Sequence, residues 1–176
     1  MNKLALVVIL LLPSFSLFGQ GPCKKLYAPA NASFTVCPPA SLHESHDPDL
    51  QFSAFSNGND KVPTSLAITV LELVTKDSIR ESAYDALLEE YTYPGRHPDL
   101  KEMGEFKTDG GIPYIRLLYE ATGIKGRDAG ERDVRLDYFF QGPGVLVAFT
   151  VAAHVGAVAD VATADAMIKT VTIKQK

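Results

Sequence analysis

The stretch TDGGIPYIRLLYEATG, Thr108 to Gly123, places an Asp and two glycines in front of a run that alternates in polarity. Ile115, Leu117, Tyr119 and Ala121 share one parity, while Tyr114, Arg116 and Glu120 share the other with Leu118. A period of two is that of a strand. A glycine loop that cradles phosphate feeds a helix, whose free amides point at the anion. These glycines feed a strand, so Asp109-Gly110-Gly111 reads as the corner of a tight hairpin with at least one glycine at positive φ. The weaker strand Leu100 to Lys107 is its other arm.

Reading toward the C-terminus, Gly123 to Gly130 mixes three glycines with Lys125, Arg127 and Asp128, a charged connection. Val134, Leu136, Tyr138 and Phe140 then face one way, and Arg135, Asp137 and Gln141 the other. Gln141-Gly142-Pro143-Gly144 turns the chain into Val145 to Ala153, apolar on both parities apart from Thr150, as expected of a central strand. The segment from Ile112 to Ala153 is therefore an antiparallel meander. Val161, Ala164, Ile168 and Val171 keep helical spacing behind Asp160, which reads as an N-cap.

Reading toward the N-terminus, Ile79, Ala83, Leu87 and Tyr91 fall four apart, with Tyr84 and Leu88 widening the stripe. Ser78 and Glu81 form a capping box in front of this helix, and Tyr93-Pro94-Gly95 ends it. Leu66 to Thr75 is apolar on both parities and reads as a strand covered on both faces. Leu50 to Asn57 alternates with Leu50, Phe52 and Ala54 inward and Phe55 the exception, and stops at Asn57-Gly58-Asn59. Ser33 to Val36 is a short strand stopped by Cys37-Pro38-Pro39.

At 176 residues the chain has room for one domain, and 46% hydrophobic with 22% charged residues is an ordinary globular composition. A net charge of −4 with no basic patch argues against nucleic acid as a partner. Lys3, the apolar run Leu4 to Leu12 and small residues at Ser14, Ser16 and Gly19 have the layout of a secretory signal peptide. That run is far below the ~20 residues needed to span a bilayer, and Pro13 interrupts it. The expected organisation is a signal peptide over 1–19, a tether over 20–32 and one domain over 33–176, acting as a monomer in a secreted or periplasmic setting. Cys23 and Cys37 are either a disulfide closing a short loop or two thiols. Pro22 argues against lipid anchoring at Cys23.

The order strand, strand, strand, helix, hairpin, hairpin, helix is that of an α+β layer architecture. Four pieces carry a resemblance: FTVCPP, an extended run into prolines; DGGIPYIRLLYEATG; FFQGPGVLVAFTVAAH; and the terminal ADAMIKTV. Over roughly Ala32 to Lys174 the chain resembles the PsbP-like family, which includes the extrinsic photosystem II protein and exported bacterial proteins of the DcrB and LpqN type. The family often follows the opening proline with a tryptophan; this chain has none and offers Leu42 near that place. The resemblance implies an α/β/α sandwich with a curved antiparallel sheet of about six to seven strands flanked by helices. For most bacterial relatives it implies no established catalysis, and a photosystem role does not follow from it.

A search for chemistry returns little. His43 and His46 with Glu44 and Asp47, in HESHD, form the densest set of ligand-type side chains, but prolines on both sides argue against a rigid helical turn, and a solvated loop is expected. His97 and His154 are the remaining candidates for a third ligand. There is no Gly-x-Ser-x-Gly elbow. Glu89 and Glu90, adjacent on a helix, do not converge on a substrate, and Tyr84, Tyr91 and Tyr93 read as a core edge with hydroxyls in water. No catalytic residue, cofactor or metal site is therefore assigned. The expected function is an exported, non-enzymatic binding or accessory domain acting on a protein or envelope component through the open side of its sheet or the 123–130 loop. The alternative is a metal- or small-ligand-binding protein using the His43/His46 segment.

Overall fold

A computed structural model describes residues 23, 25–58, 64–94, 98–122, 132–154 and 158–174. The predicted leader, the 123–130 connection and His97 lie outside them. The hairpin with which the sequence reading began joins β5 (Asp99–Lys107) to β6 (Pro113–Thr122). Its corner is a five-residue loop rather than a tight two-residue turn, with Lys107 paired to Pro113 across it. Gly111 N–H donates to the Thr108 carbonyl and the Thr108 hydroxyl accepts from Ile112 N–H. Asp109 N–H also reaches the Lys169 carbonyl, so the corner satisfies a carbonyl at the end of the last helix. Gly111 has φ 81° and Gly110 shows no such conformation. Gly111→Val is therefore expected to cost about 1–3 kcal/mol and Gly110→Val little, as read by thermal melts, with no protection of the parent by phosphate or nucleotide.

β6 continues into β7 (Arg132–Gly142) and β8 (Val145–His154), joined by Pro143-Gly144 with Gly144 at φ 73°, as a type II turn requires. The remaining elements are β1 (Phe34–Thr35), β2 (His43–Ser45), β3 (Ala54–Ser56), β4 (Leu66–Val74), α1 (Ile79–Thr92), α2 (Val158–Ile168) and β9 (Thr172–Ile173). Seven strands make one antiparallel sheet in the order β2-β3-β4-β8-β7-β6-β5, with β8 in the middle. The fold is α+β, with a helix on each face of the sheet. One face packs under α2 and the separate β1-β9 ribbon, through Phe34, Phe55, Phe140, Phe149, Met167 and Ile168. The other packs under α1, through Ala83, Ile115, Leu117, Tyr119 and Phe139.

The α1 capping box forms as read: the Ser78 hydroxyl accepts from Glu81 N–H, and the Glu81 carboxylate accepts from Ser78 N–H at 2.8 Å. Four expectations change. Asp160 is not a cap but lies in the first turn of α2, where its carboxylate accepts from Asn57 and Ser65 and ties the helix to the β3–β4 connection. The strand expected over Leu50 to Asn57 shrinks to Ala54–Ser56, because Leu50 closes a turn onto Asp47 and the core residue of β3 is Phe55, not Ala54. HESHD is not simply a loop: His43–Ser45 is an exposed edge strand held only by β3. The strand at Phe34 stands outside the main sheet and pairs with the C-terminal β9. Beside it, part of the expected tether is bound down, since Tyr27 bridges Val36 and Lys174 Nζ donates to the Pro29 and Ala32 carbonyls.

Candidate functional site

β4 decides where the sheet is open. Its alternate residues Leu66, Ile68 and Val70 are buried under the α2 layer. The other parity was expected to be covered too, yet Leu71 is 44% and Leu73 46% exposed. The physical reason is width. Strands lie ~4.8 Å apart and a helix with its side chains is ~10 Å across, so one helix covers about two strands. α1 sits over β6 and β7. Leu146 and Ala148 of β8 are still buried beside it, and the end of β4 that carries Leu71 and Leu73 is left bare.

The result is a cleft of about 410 Å³ between α1 and the sheet. Its floor is Leu71 and Leu73 from β4, Leu146 and Ala148 from β8 and Phe139 from β7. Its wall is the flank of α1 bearing Ser82, Asp85, Ala86 and Glu89. Asp77 in the β4–α1 connection adds another carboxylate. Tyr84, Leu88, Tyr91 and Tyr93 are each more than half exposed and are not part of the cleft. The expected core-edge stripe is thus a solvent-facing apolar flank of α1.

At the inner end of the cleft the outward-reading residues of β7 are in fact covered, Asp137 buried and Arg135 half-buried. The Tyr119 hydroxyl donates to Asp137 Oδ2 at 2.8 Å, and Arg135 lies 3.8 Å from Glu90 on α1. Sequence reasoning placed Arg135 and Asp137 on a polar face; the signal it missed is Phe139 at the same parity, which shows that the face is covered. Burial pushes the Asp137 carboxyl up from its ordinary range, opposed by hydrogen bonds from the Thr150 and Tyr119 hydroxyls and by the Arg135 charge. A carboxyl whose pKa is raised in the folded state takes up a proton on folding. Its contribution to stability is therefore fullest below the ordinary value of 3.8 and is lost as pH rises through the raised one. Asp137→Asn removes that loss, so the difference in melting temperature, variant minus parent, is expected to grow more positive from acid to neutral pH.

His43 and His46 line a different cleft, of about 460 Å³, floored by Tyr27, Leu42 and Phe55 and walled by Pro38 and Pro39. The structure thus brings the two imidazoles to one hollow. Glu44 there is committed elsewhere, accepting from Lys25 at 2.7 Å and from Ser53 at 3.0 Å, and the Lys25 hydrogen bond is the main reason its pKa is lowered. Among the described residues no group of three His, Cys, Asp or Glu side chains is placed to hold a metal ion. His97 and the His154 side chain lie outside them. Cys23 and Cys37 are joined as a disulfide at a Cα separation of 5.7 Å, which holds the segment carrying Lys25 and Tyr27 against Pro38. No helix of the described residues is long and apolar enough to cross a membrane.

The remaining charge cluster ties layers together. Arg116 donates to both oxygens of Asp165 on α2 and to Glu102 on β5, and the Tyr138 hydroxyl donates to Asp165 at 2.8 Å. The Arg116 guanidinium also stacks over Phe106, with 5.0 Å to the ring centre.

No family model and no curated protein sequence matches the chain. Solved structures do. The solution structure of cyanobacterial PsbP (CyanoP) from Synechocystis sp. PCC 6803 superposes with a TM-score of 0.59 at 14% identity, covering 92% of this chain and 99% of that one. The Saccharomyces cerevisiae Ran-binding protein Mog1p gives 0.58 at 13% identity, covering 86% and 95%. LpqN, involved in cell envelope biogenesis of Mycobacterium tuberculosis, gives 0.58 at 11% identity, covering 80% and 83%. At these identities the likeness concerns the fold. The fold of this chain is PsbP-like, as the order of its turns and core stripes implied.

Proposed function

We propose that the chain is an exported, non-catalytic binding domain that engages a protein partner through the exposed end of β4 beside α1. The observation that carries this reading is the exposure of Leu71 and Leu73 on β4, where the same sheet face is covered by α1 two strands away. The polar groups at the inner end of the cleft are engaged with one another, Tyr119 with Asp137 and Arg135 with Glu90, which suits a fixed wall better than a reacting centre. Export rests on the leader-like first residues. The description of Mog1p as Ran-binding supports the use of this fold as a recognition module.

The test is a photo-crosslinking side chain placed at Leu73 and, as a control, at Asp49, in the intact native envelope. Adducts with one protein species at Leu73 and not at Asp49 are expected. Recovery of the chain alone at both positions overturns the reading. A second reading, a small ligand held by the His43/His46 cleft, is favoured by the shared hollow of the two imidazoles. Equilibrium dialysis against zinc and copper, compared between the parent and His43→Ala/His46→Ala, separates it from the first.

A further inference from the structure

We infer that the occupant of the cleft is a cationic amphipathic helix of the partner protein, lying beside α1 over the exposed end of β4; this rests on the binding reading above.

The position of the cleft on the face of the sheet argues against a strand as the occupant. β8 is paired on both sides, by β4 and β7, whereas β3 pairs β4 only at Ala67 and Ile68; beyond them Glu72 N–H is already taken by the Gln51 side chain, and a strand added at that edge would lie in the plane of the sheet rather than in the cleft on its face. A visitor to this face meets side chains only, as a helix on a sheet does. Beyond the buried Leu146 and Ala148 of β8, the part of the floor open to a visitor is Leu71 and Leu73 of β4. The floor of Leu71, Leu73, Phe139, Leu146 and Ala148 asks for an apolar stripe of the i, i+3, i+4 kind.

Charge sets the other face of the visitor. Asp85 and Glu89 are exposed, stand four apart on α1, and so repel each other on the flank that walls the cleft. Glu89 and Glu90 also sit in the C-terminal half of α1, whose last turn has no basic residue, so they add to the negative end of the helix dipole. With Asp77 they make an acidic rim in which Arg135, already against Glu90, is the one cation among the residues lining the cleft. Within the chain this arrangement is unfavourable. Lysine or arginine on the near side of a docked helix relieves both the repulsion and the dipole.

The probes are two synthetic peptides of about 18 residues, enough for a helix spanning ~27 Å. Each has a leucine stripe; one carries lysine and the other glutamate on the polar face. Fluorescence anisotropy of the full chain with each is expected to show the lysine peptide bound at least about tenfold more tightly, with the preference shrinking at high salt. Asp85→Lys/Glu89→Lys is expected to reverse the preference, the same charge change at Asp49 to leave it, and Leu73→Asp to weaken both peptides. Both substituted acids are exposed, and circular dichroism checks that the variants fold. Equal binding of the two peptides, no binding of the lysine peptide, or a preference that survives the double reversal overturns the inference. If crosslinks at Leu73 persist in any of those cases, the binding surface stands and only the chemistry assigned to its occupant falls. If peptide preference holds while crosslinking yields the chain alone, the binding reading fails in the envelope tested.

Discussion

Phe149→Ala is expected to lower the unfolding free energy by about 3–5 kcal/mol, read from the urea midpoint at unchanged slope. Phe149 lies on β8, the middle strand of seven, and is fully buried. Its ring meets Phe34 edge-on at 5.4 Å and Phe140 at 5.8 Å. Phe34 belongs to the β1-β9 ribbon rather than the sheet, so this one ring joins two pieces that share no backbone hydrogen-bond ladder. Neighbours held by ladders on both sides of β8 collapse poorly into the space left, which puts the cost toward the upper end of the range. A loss below about 1 kcal/mol would mean that the ribbon does not depend on the sheet for its position.

Opening the Cys23–Cys37 bridge, by reduction or by Cys23→Ser/Cys37→Ser, is expected to cost about 3 kcal/mol. A closed loop of this size, with a sequence separation of 14, removes that much chain entropy from the unfolded state. The effect has a local signature as well. Tyr27 packs edge-on against Phe55 at 5.0 Å and its hydroxyl accepts from Ser53 N–H, both within the segment that the bridge holds down. Histidine resonances of His43 and His46, which share a cleft with Tyr27, are therefore expected to shift on reduction while the Asp137 region stays unchanged. An equal melting temperature for oxidised and reduced protein would show that the ribbon and Tyr27 hold the segment without the bridge.

Much of the fold was legible because its signals are local. The alternation of Tyr114 to Ala121 and of Val134 to Phe140, the two-parity run of Val145 to Ala153, the Ser78/Glu81 box and the glycine corners at 109–111 and 141–144 each depend on a few neighbouring residues. Where the reading failed, the deciding contact is distant in sequence. Asp160 has the composition of a cap and became a clamp because Asn57 and Ser65 come to it from about a hundred residues away. His43–Ser45 has no strand pattern and became one because β3 had a free edge.

The sequence by itself determined both helices, the long strands and the corners between them, and through their order the PsbP-like architecture, since periodicity, capping and turn chemistry act over less than a dozen residues. Only the tertiary structure decided which faces are covered. An apolar residue on both parities says that a strand prefers burial, not that a cover exists, and α1 is one helix above a sheet several strands wide. Leu71 and Leu73 are therefore indistinguishable in sequence from core residues and stand in the open, while Arg135 and Asp137 read as surface and are half-buried and buried. The candidate site consists of those two reversals side by side, and both follow from where one helix lands.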